Sequence, residues 1–318
     1  MRRFKDILLA ASPGHLGPVT VRAAARLAVD NDAQLTVIDV VPPVPRWRRT
    51  TDVEGQVVDV EAMLLHDREQ RLRHLVASTG VASEAKAIVM TGEPFIEVIR
   101  QVLTQGHDLV MLGDPARNEG FPPRPDSGVM HLLRKCPVPV WVMRPSRARK
   151  LRILALIDPD PQDPVRDGLN DLVLQLATSL TRLEDANLHV AHAWSLAGEA
   201  TLRSSSYVML PDAEVDVMVK TAEAAHHEQV DIRAERHGVA DLGGTVHLVR
   251  GNPGEVLPRL AAKLKIGLIV MGTVARTGLS GLIIGNTAET ILRSVECSVL
   301  AVKPEGFRTP VKVGRRRS

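Results

Sequence analysis

Two glycines near the end of the sequence are spaced as in a phosphate-binding loop. Gly272 follows the apolar run 268–271, and Gly285, Asn286 and Thr287 precede a segment with helical periodicity. A buried strand, a loop of small residues and a helix start leave backbone N–H groups available, and the helix dipole favours an anion there. The stretch 268–304 therefore predicts a site that can hold a phosphate group.

Other residues that commonly bind metal ions or catalyse reactions are not spaced for those functions in this sequence. His226 and His227 are adjacent on a predicted helix, and His189 and His192 point to opposite faces of a predicted strand, so neither pair is expected to share a metal ion. No G-x-S-x-G, H-E-x-x-H or G-x-x-x-x-G-K-[ST] motif occurs. We therefore predict no catalytic residue and no metal site.

The composition is that of an ordinary globular chain of about two domains. Its 318 residues are 44% hydrophobic and 24% charged, and the net charge of +3 is too balanced to indicate specific nucleic-acid binding. Cys136 and Cys297 are too few for a disulfide framework, which favours a cytoplasmic setting. No apolar run approaches the roughly 18 residues of a membrane span, so no membrane association is expected.

The sequence contains one pattern twice. Gly92-Glu93-Pro94 recurs as Gly251-Asn252-Pro253, and the same offset relates 108–117 to 267–276 and 132–145 to 291–304. The starts, 7–13 and 153–159, match with a smaller offset, so the second copy carries extra residues within 197–216. Such self-similarity indicates duplicated domains, which we assign to 1–147 and 148–318, the latter ending in a basic tail.

Each copy alternates predicted strands and helices. The apolar runs 109–112 and 268–271 are typical of strands buried on both faces of a parallel sheet. We predict an α/β fold of two tandem doubly wound domains, each with five parallel strands flanked by helices. The polar stretch 42–56 is expected to be a loop before a helix over 57–78, and 197–216 either a surface loop or the cover of a pocket.

The spacing of Gly272, Ala275, Gly285 and Asn286 resembles the G-x2-G-x9-G-[S/T] loop of the universal stress protein family. Ala275 replaces the second glycine, and Asn286 replaces the Ser or Thr. Together with the duplication and the segments 131–137, 272–278, 285–289 and 309–311, this loop is similar to tandem, E-type members of the family. The resemblance implies the strand order 3-2-1-4-5, with two helices on each face.

The resemblance also implies a nucleotide, ATP or AMP, with magnesium if it is ATP. Adenine and ribose would lie near Asp158 and Ala193, and Arg276 could reach a phosphate. The phosphates would lie over the loop residues Gly272, Thr273, Ala275, Gly285, Asn286 and Thr287. The alternative reading is structural, because Asp158 suits a turn or cap and the glycines suit close packing.

The corresponding loop of the first copy is degenerate. Ser12 replaces Asp158, Asp126 replaces the third glycine, and Pro122, Pro123 and Pro125 remove N–H donors. A carboxylate at this position repels phosphate. Phosphate binding is therefore expected in the second domain only.

The family resemblance favours a non-enzymatic protein of the stress response. The alternatives are a slow nucleotide-dependent enzyme, with Asp158 or Asp160 holding a metal ion, and a binding module for a non-nucleotide small molecule. The apolar fifth strands, 138–143 and 298–302, are edge strands that invite pairing, and the family resemblance implies that they form an intramolecular pseudo-dimer. A homodimer is the alternative, and protein partners are not identified by the sequence.

Overall fold

The computed structural model describes residues 3–11, 17–45, 50–53, 56–80, 85–113, 127–144, 150–204, 210–273 and 285–313. The backbone separates into two compact units. Unit 1 contains the described residues of 3–144 and 298–313, and unit 2 contains those of 150–273 and 285–297. The last strand of the second repeat is therefore grouped with unit 1.

The two repeats supply the following elements in chain order. The first repeat contains β1 (Asp6–Ala11), α1 (Pro18–Asn31), β2 (Gln34–Val41), β3 (Thr50–Val53), β4 (Gln56–Asp59), α2 (Val60–Ser78), β5 (Lys86–Thr91), α3 (Pro94–Gln105), β6 (Leu109–Gly113), α4 (Ser127–Lys135) and β7 (Val140–Met143). The second contains β8 (Arg152–Leu156), α5 (Pro164–Leu183), β9 (Asn187–Trp194), α6 (Glu199–Ser204), α7 (Asp212–Arg236), β10 (Thr245–Arg250), α8 (Pro253–Lys263), β11 (Leu268–Gly272), α9 (Asn286–Ser294) and β12 (Ser298–Val302).

The main sheet of unit 1 has the order β12-β7-β6-β1-β2-β5. The five strands of the first repeat are parallel and follow the predicted order 3-2-1-4-5, with Ile7 lying between Leu35 and Leu109. β12 pairs with β7 in the antiparallel direction, Val299 opposite Val142. Central β1 is inaccessible to solvent on both faces, which explains its continuous apolar sequence.

The described residues of unit 2 form four parallel strands in the order β10-β9-β8-β11. Ile153, Leu154 and Ala155 of central β8 are fully buried. Helix α5 packs against β8 and β11, and α8 packs against β9 and β10. The predicted fold class, tandem α/β domains with helix-flanked parallel sheets, is confirmed, and all carboxyl strand ends of unit 2 lie at one sheet edge.

The prediction of a loop over 42–56 and a helix from residue 57 was wrong in part. The backbone forms an antiparallel hairpin of β3 and β4, with Asp52 opposite Val57. Helix α2 begins three residues late, at Val60, because 57–59 are paired in the hairpin. The Asp59 side chain then accepts a hydrogen bond from the N–H of Ala62 at 3.0 Å, which caps the helix.

The extra residues of the second repeat are not simply a surface loop. They contain α6, which is held by ion pairs on both sides. Glu199 pairs with Arg250 at the end of β10, and Arg203 pairs with Asp216 of α7 at 2.7 Å. Among the helices of the described ranges, none has both the length and the apolarity needed to cross a membrane.

Candidate functional site

The predicted site lies where β8 and β11 leave the sheet of unit 2. Leu156 is paired with Met271, so Asp158 and Thr273 each follow this pair by two residues at the same edge. Thr273 is fully buried, whereas the Asp158 side chain is 41% exposed. Of these two residues, only Asp158 can contact a ligand from solvent with its side chain.

Gly272 is required by packing. A Cβ atom at this position would lie 2.5 Å from Leu169 Cδ2 and 3.0 Å from Leu169 Cγ, on helix α5. Real carbon contacts are near 3.5–4.0 Å, so a side chain here would displace Leu169. Close packing against Leu169 is therefore sufficient to explain this glycine, whether or not a nucleotide binds.

The start of α9 is hydrogen-bonded to the residue that follows β11, and we call this junction of strand and helix the corner. The N–H of Gly285 donates to the carbonyl oxygen of Thr273 at 3.2 Å, and the N–H of Glu289 donates to the carbonyl of Gly285 at 2.9 Å. Gly285 is the N-cap residue and, as a glycine, has no side chain that could cap this helix. Asn286 and Thr287 are exposed in the first turn, so this helix start has the chemistry of an anion site.

Asp158 is positioned by a residue that sequence reasoning did not single out. The buried amide of Asn170, on α5, accepts from the N–H of Asp158 at 2.9 Å and donates to its carbonyl oxygen at 3.1 Å. Because one side-chain amide bonds both the N–H and the carbonyl oxygen of Asp158, it fixes the backbone at the end of the strand. Asn170 lies among apolar residues of a helix. A polar residue at such a position was the signal in the sequence that could have identified it.

The carboxylate of Asp158 lies in a small group of charges. Arg166 Nη1 is 3.8 Å from Asp158 Oδ2 and 2.9 Å from Asp160 Oδ2. Asp163 caps α5 by accepting from the N–H groups of Val165 and Arg166, both at 3.1 Å. Arg166 therefore offsets the charge of both carboxylates that were candidates for holding a metal ion.

The end of β9, predicted to lie near adenine, is covered by other side chains. Ala193 and Trp194 are 5% and 3% exposed. The His226 ring of α7 lies 5.5 Å from the Trp194 ring, and the Arg250 guanidinium lies 5.9 Å from it. A nucleoside at this edge would contact Asp158 more readily than Ala193.

A strand-to-helix pair occupies the same position in both units. Asp39 is the sixth residue of eight-residue β2, and Arg68 Nη1 of α2 lies 3.4 Å from its carboxylate. His192 is the sixth residue of eight-residue β9, and its Nε2 lies 3.0 Å from Nδ1 of His226 on α7. Burial raises the pKa of Asp39 despite Arg68, and burial lowers the pKa of His226 despite Asp158. At this position the first repeat thus has an ion pair, and the second repeat has a histidine pair.

Several predicted residues lie outside the described ranges. They are Ala275 and Arg276 in the second repeat, and Ser12 and Asp126 in the first. Within the described ranges, no group of three or more His, Cys, Asp or Glu side chains could hold a metal ion. Both cysteines are described, and neither forms a disulfide.

The fold and this corner define a tandem doubly wound α/β protein whose second unit carries a strand–glycine–helix turn at its carboxyl edge. Residues 3–144 and 152–303 match the model of the universal stress protein family. The chain belongs to this family, and the predicted tandem, E-type resemblance is confirmed by its relatives.

The relatives match most of the chain. Universal stress protein E of Escherichia coli (strain K12) is 30% identical over 243 residues, which cover 74% of this chain and 73% of that protein. Universal stress protein E of Salmonella typhi is 31% identical over 256 residues, covering 77% and 76%.

Solved structures share the fold over nearly the whole chain. A functionally unknown protein from Pseudomonas aeruginosa PAO1 is 25% identical with a TM-score of 0.69, covering 96% of this chain and 94% of that chain. A universal stress protein from Archaeoglobus fulgidus DSM 4304 is 17% identical with a TM-score of 0.63, covering 93% and 98%. The second likeness concerns the fold alone.

Proposed function

We propose that this chain is a non-enzymatic protein of the stress response that binds ATP or AMP at the carboxyl edge of unit 2. One observation carries the proposal: the N–H of Gly285 donates to the carbonyl oxygen of Thr273, which brings the start of α9, whose N-cap residue is a glycine, against the end of β11. Backbone N–H groups and the helix dipole at such a corner favour a phosphate. The paucity of cysteines supports a cytoplasmic location as part of the proposal.

The phosphate end of the site fits a nucleotide better than the base end does. Asn286 and Thr287 are exposed at the helix start, whereas Ala193 and Trp194 are buried, and His226 and Arg250 lie beside the Trp194 ring. We therefore expect affinity to depend on the phosphates, with Asp158 as the exposed polar group available to the nucleoside. Magnesium would accompany ATP on the phosphate oxygens.

The test uses a substitution that changes charge without disturbing packing. Asn286→Glu places a carboxylate in the first turn of α9, where it repels phosphate but favours the helix by interacting with its dipole. Because Asn286 is exposed, the variant should fold. We expect isothermal titration with ATP·Mg and with AMP to show binding that is at least about ten-fold weaker, equivalent to about 1.4 kcal/mol.

The matched control is Ser127→Glu. Ser127 is exposed and begins α4, at the position of the first repeat that corresponds to Asn286. This variant should bind nucleotide as the wild type does. Equal affinity in wild type and Asn286→Glu, or equal weakening in both variants, would exclude α9 as the phosphate site.

The nucleotide-dependent enzyme is less well supported than binding alone. Asp158 and Asp160 both face Arg166, which competes with a cation for these carboxylates. A binding module for another small molecule is favoured by no specific contact in the described residues.

We also propose that the repeats associate through their fifth strands. The antiparallel ladder of β7 and β12, which lies within unit 1, supports this proposal. A homodimer is the alternative.

A further inference from the structure

Two pairs of histidines flank strand β9 on its opposite faces. His192 Nε2 lies 3.0 Å from His226 Nδ1 on one face, and His189 Nδ1 lies 3.1 Å from His247 Nε2 on the other. The partners come from α7 and β10, so no pair is close in sequence. The prediction of no metal site considered neighbours along the chain only.

The hydrogen bonds of the His192–His226 pair define its tautomers. His192 Nδ1 lies 3.1 Å from the carbonyl oxygen of Ile157, which can only accept, so Nδ1 carries the proton. His192 Nε2 then presents a lone pair to His226, whose Nδ1–H donates to it. A backbone carbonyl that fixes the distal nitrogen in this way is the usual support of a metal-binding histidine.

The nitrogen spacing also suits a shared cation. Two imidazole nitrogens that each lie about 2.0–2.1 Å from a zinc-sized ion are about 3 Å apart, as His192 Nε2 and His226 Nδ1 are. An ion can replace this hydrogen bond by lying to one side of the line between the two nitrogens, if His226 carries its proton on Nε2 and the rings turn so that both lone pairs face the ion. His226 is only half-buried, so its ring can exchange protons and ions with solvent.

Charge distinguishes the two pairs. Asp158 Oδ1 lies 3.9 Å from His192 Nδ1, and its negative charge opposes the lowering of the His226 pKa by burial. Arg166 faces the other side of this carboxylate at 3.8 Å and reduces its effect. Burial lowers the pKa of His189 and His247 as well, and there the charges of Arg152 and Lys263 lower it further. A cation is therefore favoured at His192 and His226 and disfavoured at the other pair.

We propose that His192 Nε2 and His226 Nδ1 form a binding site for a divalent transition-metal ion of the kind that prefers imidazole, such as nickel, copper or zinc. No third His, Cys, Asp or Glu joins them as a ligand within the described residues, so water completes the coordination. Asp158 contributes charge rather than a bond. Both ligands lie on β9 and α7 rather than on α9, so metal binding does not require the phosphate loop, and Asp158 is a residue that the two proposed sites share.

Trp194 provides a local reporter, because its ring is 5.5 Å from that of His226. The experiment is a titration with NiCl2 at pH 7.5, followed by tryptophan fluorescence and by equilibrium dialysis of the bound nickel. We expect saturable quenching in the wild type and its loss in Trp194→Phe, with nickel binding retained. His226→Gln should weaken the saturable phase at least about ten-fold and remove one bound nickel per chain.

His247→Gln is the matched control, because it breaks the equivalent pair on the other face of β9. It should retain the quenching and the bound nickel of the wild type. Circular dichroism checks that each variant folds; if His226→Gln does not, the wild type at pH 5.5 should lose the saturable phase because protons compete for both nitrogens. The proposal is overturned if His226→Gln binds nickel as the wild type does, if His247→Gln removes the same equivalent, or if acidification leaves the affinity unchanged.

Discussion

At the scale of single residues, the candidate site depends on close packing behind it. Gly272 leaves room for Leu169, and Asn170, the next residue of α5, holds the backbone of Asp158. Both contacts come from one helix turn pressing on two adjacent strand ends. The loop glycine and the aspartate are therefore positioned by α5, even though the family motif includes no residue of that helix.

Gly272→Ala should destabilise the protein because the new methyl group meets Leu169. Overpacking of this kind costs about 1–3 kcal/mol. Leu169→Ala removes the obstructing atoms but leaves a cavity, so we expect the double variant to be more stable than the sum of the two single changes predicts. Urea unfolding of all four proteins measures this coupling, and additive effects would show that Leu169 is not the obstacle.

At the scale of elements, the extra helix of the second repeat, α6, is held by ion pairs to two neighbouring elements, β10 and α7. Glu199 accepts from Arg203 within α6 and from Arg250 at the end of β10, and Arg203 reaches Asp216 of α7. The hydrogen bond from Arg250, followed by that from Arg203, lowers the pKa of Glu199. The carboxylate therefore keeps its charge at mildly acidic pH, and α6 remains held where β9 and β10 end.

Glu199→Gln should loosen α6 without lowering global stability. Exposed ion pairs contribute little to the free energy of unfolding, whereas a six-residue helix is marginal without its tertiary contacts. We expect faster amide hydrogen exchange confined to α6 and an unchanged melting temperature. Glu69→Gln, which breaks an ion pair within α2, is the control and should leave exchange in α6 as it is; unchanged exchange in Glu199→Gln would contradict the tether.

At the scale of the whole molecule, histidines with lowered pKa values lie in both units, His131 in unit 1 and three others in unit 2. Burial lowers the pKa of His189, His226 and His247, all of unit 2. Between these lowered values and the ordinary value near 6.5, the unfolded chain binds more protons than the folded one. The stability of unit 2 is therefore complete above about pH 6.5 and declines as the pH falls through the folded values.

Acidification from pH 7.5 to pH 5.5 should accordingly increase amide hydrogen exchange in β9 and β10. His189→Gln removes one of the contributing groups, so its loss of protection over the same interval should be smaller than that of the wild type. The measurement is hydrogen exchange with mass spectrometry, compared at equal intrinsic exchange rates. Equal losses in the two proteins would show that this histidine does not carry the effect.

Much of the fold could be predicted from the sequence, because burial of a strand or helix leaves a local signature. Continuous apolar runs such as 109–112 and 268–271 indicate strands covered on both faces, and the recurrence of 132–145 as 291–304 indicates a duplicated domain. The hairpin of β3 and β4 and the helix α6 were not predicted. They lie in polar segments, where turn residues and charges carry no periodic pattern.

The sequence by itself determined the tandem α/β architecture, the family and the strand–glycine–helix corner at Gly272 and Gly285, since these depend on hydrophobic period and on spacing along the chain. Only the tertiary structure decided what surrounds that corner. It brings Leu169 against Gly272, Asn170 against Asp158, and His226 against His192. Contacts between residues so far apart in sequence depend on how helices lie across strand ends, and no local pattern encodes that geometry.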